Sequence, residues 1–145
     1  MKHLIAATAI ALVSATGALA EGLTHYVAIH VDESDPQVQN MALNNAVNVS
    51  NYYDAQGDEV IIELVAYGPG VHMFRSDTSP VSQRIEAMQL EMENLSFAAC
   101  GNTLRAMNAR MESGEVELIA GVDVTPSGVV RLIELQEQGF AYIRP

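Results

Sequence analysis

The chain has 145 residues, 49% of them hydrophobic, and its 18 acidic against 7 basic side chains give a formal net charge of −11. That length suits one domain around one core, and the acidic balance argues against nucleic-acid backbones or anionic membrane surfaces as partners, since both need clustered Lys and Arg. One cysteine, Cys100, excludes an intramolecular disulfide framework and an internal dithiol couple.

Residues 1–20 have the features of an export signal. Lys2 supplies a short positive start, Leu4 to Val13 is apolar, and Ala18-Leu19-Ala20 fits a small-residue cleavage site. The apolar stretch is too short to span a bilayer. The expectation is a domain over residues 21–145, periplasmic or secreted, with no membrane attachment after cleavage. Cleavage removes Lys2 and makes the domain one charge more negative.

Strand-like and helix-like stretches then alternate. His25 to Val31 is a β-favouring run. Pro36 opens a helix capped by Ser34 or Asp35, running to about Gln56 before Gly57. Val60 to Ala66 is nearly continuous in apolar residues, as a strand covered on both faces requires. The turn Tyr67-Gly68-Pro69-Gly70 follows. Ser79-Pro80 starts a second helix on which Val81, Ile85, Met88, Met92 and Leu95 step at helical spacing, the methionines as core filler. Leu95 to Ala99 is the third strand, leading into a helix over about 102–111. Val116 to Val122 is the expected fourth strand. Pro126-Ser127-Gly128 opens a last helix that stops at Gly139, and Phe140 to Ile143 closes as a fifth strand. Repeated βα units imply an α/β class, a three-layer α/β/α sandwich on a mainly parallel five-stranded sheet. The last helix has little polar surface, which suits burial of one side against a partner subunit.

Cys100 lies where the third strand passes into a helix. Backbone N–H groups at a helix start favour negative charge and ease thiolate formation. A persulfide, a mixed disulfide or an inter-chain bridge is open to such a thiol; so is a purely structural role, because free cysteine is among the most buried residue types. Gly101, Asn102 and Thr103 offer N–H groups that either cradle a sulfur anion or merely cap the helix. Ligands in open α/β sheets bind beyond the carboxyl ends of strands, and that rim also carries Tyr67, Gly68 and Gly70 as expected pocket residues. His25, His30 and His72 match no zinc spacing. No metal or cofactor is expected, although His72, Met73 and Cys100 form a minor copper-site alternative.

Four segments together carry a likeness: Leu43 to Asn48, Gly68 to Val71, Ala99 to Leu104, and Leu135 to Pro145. In these the chain resembles the DsrE/DsrF-like family, in particular its exported single-domain branch. The resemblance implies an α/β/α sandwich assembled as a homotrimer or homohexamer. It also implies that Cys100 receives sulfane sulfur from a donor and passes it, as a persulfide, to a thiol acceptor. The competing expectation is a non-enzymatic small-ligand-binding or assembly module with a structural cysteine.

Overall fold

The computed structural model describes residues 22–145; the expected export signal at 1–20 lies outside the described residues. Five strands, β1 (Thr24–Val31), β2 (Glu59–Ala66), β3 (Leu95–Cys100), β4 (Asp123–Thr125) and β5 (Ala141–Ile143), form one sheet in the order β4-β3-β2-β1-β5. Every pairing is parallel. Four helices connect them: α1 (Pro36–Asp54), α2 (Ser82–Glu91), α3 (Gly101–Asn108) and α4 (Gly128–Glu137), with a 3-10 segment over Gly68–Phe74. The fold is the expected three-layer α/β/α sandwich.

Local chemistry explains most boundaries. Asp35 caps α1 by accepting from the Gln37 N–H at 2.8 Å, and Pro36 occupies the first turn, where a missing N–H costs nothing. Gly57, at φ 77°, turns the chain after the helix. Helix α2 begins two residues later than Pro80, because the Ser79 hydroxyl accepts from the Val81 N–H and holds that residue outside helical geometry. Of the expected apolar stripe, Ile85 and Met88 on the helix and Val81 just before it are buried, Met92 just after it is half-buried, and Leu95 is buried as the first residue of β3.

The fourth strand is displaced. The apolar stretch 116–122 is a loop with an isolated antiparallel bridge between Leu118 and Arg75. It is anchored by the Ile119 N–H to the Phe74 carbonyl at 2.9 Å and by Ser76 N–H to Glu117 at 3.0 Å. Leu118 and Ile119 close over the end of the core, so their apolar character reflects burial without strand pairing. After Gly121, at φ 81°, the chain turns and the triplet Asp123-Val124-Thr125 pairs with β3.

The two sheet faces are unequal. Alternate residues of β1, β2 and β3 (Val27, Ile29, Ile62, Leu64, Phe97 among them) pack with α1, α2 and α3 in one large cluster. Full burial of each such side chain is worth roughly 1.5–3 kcal/mol. The other face offers mainly Ala28, Val65 and Ala98 to α4, through Leu132 and Leu135. A fork from Arg131 to Glu63, at 2.7 and 2.6 Å, fastens α4 to β2.

Candidate functional site

Strands β3 and β4 are neighbours, yet their following helices leave for opposite faces: α3 joins the large cluster and α4 the small one. This is a topological switch point, where parallel sheets open a crevice beyond the strand ends. Cys100 is the last residue of β3 and pairs with Thr125, the last residue of β4. Both helix starts therefore meet at the sulfur. A Cβ added to Gly128 would lie 3.1 Å from the Cys100 Cβ and 3.0 Å from that of Tyr67, so a side chain there would make α4 or its neighbours give by a few tenths of an ångström.

Burial is the largest single influence on the Cys100 thiol and pushes its pKa up. Against it act the Gly128 N–H from α4, the Thr103 hydroxyl, and the Thr103 and Asn102 N–H groups from α3. Together these donors win and hold the thiol below its ordinary value. Cys100 makes no close capping bond to α3, so they act as oriented dipoles around the sulfur. The residue is 4% exposed.

Thr103 joins the two glycine-bearing loops. Its hydroxyl accepts from the Gly68 N–H at 2.9 Å while facing the sulfur. The expected rim is thus assembled, though its members divide. Gly68, Asn102 and Thr103 line a cavity of about 680 Å³ together with Pro69, His72 and Arg110. Tyr67 packs beside Cys100 at the Gly128 position, outside that cavity. Gly101 is buried against the Thr125 carbonyl, 3.1 Å from where its Cβ would be. Gly70 is a packing residue: a side chain there would collide with the Val31 carbonyl. Another cavity, of about 730 Å³, lies at the other end of the sheet around Asp58, Glu59, Glu91 and Asn94, away from the thiol.

The histidines are dispersed. His25 stacks on Tyr53 at 3.7 Å and pairs with Asp58 at 3.2 Å, near the start of β1. His30, on the opposite face as its five-residue offset requires, is buried against Tyr67 and bonds Tyr142 through Nδ1 at 2.7 Å. Burial lowers its pKa, and its Nε2 has no partner among the described residues. His72 lines the cavity, whereas the adjacent Met73 is fully buried in the large cluster, which separates two members of the copper alternative. Among the described residues no three His, Cys, Asp or Glu side chains come together as a metal cluster.

The sequence reasoning missed Gly128 as a partner of the thiol, along with Arg110. For Gly128 a signal existed: in a parallel sheet every helix start lies at the same edge, and Pro126-Ser127-Gly128 was already legible as one.

Fold and site define a parallel α/β sandwich with one cysteine held between two helix starts. The chain belongs to the DsrE/DsrF-like family, whose model matches residues 25–145. Membership points to a function related to sulfur relay. Among solved structures, a protein of unknown function from Methanobacterium thermoautotrophicum is 37% identical, with a TM-score of 0.68 over 83% of this chain and 99% of that one. No curated protein matches the chain.

Proposed function

We propose that this protein carries sulfane sulfur as a persulfide on Cys100, between a sulfur donor and a thiol acceptor, in the periplasm or outside the cell. The observation that carries this is the convergence of two helix starts on one thiol whose pKa they lower. A thiolate is the nucleophile that takes a sulfur atom. After transfer the charge of the persulfide anion lies on the outer sulfur, one bond beyond the atom that the N–H groups and the Thr103 hydroxyl face. With no second cysteine in the chain, the acceptor thiol must come from another molecule. The chemistry asks for no cofactor. Export and a homotrimeric or homohexameric assembly belong to the same proposal; the exposed Val129, Val130 and Ile133 on α4 support the assembly.

The test is intact-mass spectrometry after incubation with inorganic polysulfide. A gain of one sulfur mass, absent from Cys100→Ser, is expected; no adduct across the pH range of the folded protein sinks the proposal. One observation favours the second reading, a structural cysteine in a ligand-binding or assembly module: Cys100 is nearly buried. A thiol that resists alkylation by iodoacetamide until the protein unfolds would select that reading.

A further inference from the structure

We propose that the cavity beside α3 binds a small organic persulfide bearing carboxylates, and that this molecule is the sulfur donor to Cys100. The inference rests on the persulfide-carrier reading and names the donor's class.

Three observations converge on that cavity. Its volume, about 680 Å³, lies in the range of about 300–1,000 Å³ typical of small-molecule sites. Pro69, Ala106 and Met107 supply an apolar wall, which suits a carbon skeleton and which a small inorganic anion would not use.

Charge on the wall is the second observation. The described residues include six arginines. Arg75, Arg131 and Arg144 pair with carboxylates, and Arg84 and Arg105 bond asparagine side chains. Arg110 alone has no side-chain partner among the described residues, and it lines this cavity. The nearby acids Asp32 and Glu33 are engaged by Arg144 at 2.9 and 3.5 Å, which reduces their repulsion of an incoming anion. In a chain of net charge −11, an unpaired guanidinium on a cavity wall is a local anion receptor, and its planar fork matches a carboxylate. On the same lining, the Nδ1 atom of His72 is shielded from solvent and lacks a partner among the described residues. A buried polar atom of that kind calls for a bonding group.

Third, the cavity adjoins the thiol. Thr103 lines it and also turns its hydroxyl toward the Cys100 sulfur. A donor R–S–SH held there by its carboxylates presents its outer sulfur toward Thr103. The Cys100 thiolate attacks that sulfur; the new S–S bond of Cys–S–SH forms as the S–S bond of the donor breaks. The bonding pair leaves on R–S⁻, which takes a proton from water. Sulfur moves at constant oxidation state, so neither oxidant nor reductant is consumed.

The experiment separates binding from transfer. S-Methylglutathione, an unreactive thioether with two carboxylates, is titrated calorimetrically into the wild type, Cys100→Ser, Arg110→Gln and Ala106→Phe. Equal binding to the first two is expected, with affinity about tenfold weaker in Arg110→Gln, as for loss of one charge-assisted carboxylate contact, and abolished in Ala106→Phe. Arg110 and Ala106 are exposed, so neither change endangers the fold. In parallel, glutathione persulfide and inorganic polysulfide are compared as donors by intact mass. Loading from polysulfide without S-methylglutathione binding overturns this inference and leaves the carrier reading standing. Binding without loading from either donor overturns the transfer step and the carrier reading together. Binding that is indifferent to both cavity substitutions overturns the assigned cavity.

Discussion

The two faces of the sheet do different work. One is closed by α1, α2 and α3 over a continuous aliphatic and aromatic cluster; the other is covered, among the described residues, by α4 over small residues, a buried histidine and the Glu63–Arg131 ion pair. The dense face supplies the cohesion. On the sparse face, polar groups and the exposed apolar side chains of α4 coexist. The thiol sits where the faces meet, because the chain changes side between β3 and β4.

The sharpest way to break this contrast is to excavate the dense face. Phe97, 1% exposed and edge-on to Phe74 at 5.8 Å, should cost about 3–5 kcal/mol when changed to alanine. Urea denaturation measures it. A loss under about 1 kcal/mol would mean that the cluster does not carry the fold.

On the sparse face, Val130→Asp should reduce the proposed oligomer to monomers by light scattering. The unfolding free energy of the separated chain should stay within about 0.5 kcal/mol of wild type, because the side chain is exposed there. A wild-type protein that is already monomeric removes the assembly from the proposal.

At the junction, Thr103→Val removes one donor from the sulfur and should move the midpoint of thiolate-dependent alkylation upward in pH. Gly128→Ala should do the same by pushing α4 away. Since the folded thiol has a pKa below that of the unfolded chain, the folded state binds fewer protons between the two values. Stability from this group is present above the unfolded pKa and is lost as pH falls through the folded one. An unmoved midpoint in both variants would show that the helix starts do not tune the thiol.

The smallest effect concerns His30, whose pKa burial lowers. Below its ordinary value of 6.5 the unfolded chain takes up a proton that the folded one refuses. Stability therefore declines as pH falls from 6.5 toward the folded pKa. His30→Gln should flatten that slope in pH-dependent thermal melts.

Most of the architecture was legible because local signals coincided with burial. Asp35-Pro36 began α1, Gly139 ended α4, and the run Val60 to Ala66 announced a central strand. The fourth strand was not, since Val116 to Val122 and Asp123 to Thr125 carry opposite hydropathy cues from the ones their roles demand. Leu118 and Ile119 pack with Phe74 in the large cluster, which leaves Asp123 to Thr125 to pair with β3. Gly70 misled for a related reason: a glycine beside a loop suggests an open rim, while here it makes room for the Val31 carbonyl.

From the amino-acid order alone follow the alternating βα plan, the acidic surface and the single thiol at a strand-to-helix junction, because each rests on spacing or composition within a short window. That a second helix start meets that thiol, that Thr103 bridges the two loops, and that Arg110 is left without a partner among the described residues were settled only when distant segments packed. Those relations depend on crossing sides between β3 and β4, and no local periodicity encodes where separate strands come to lie next to each other.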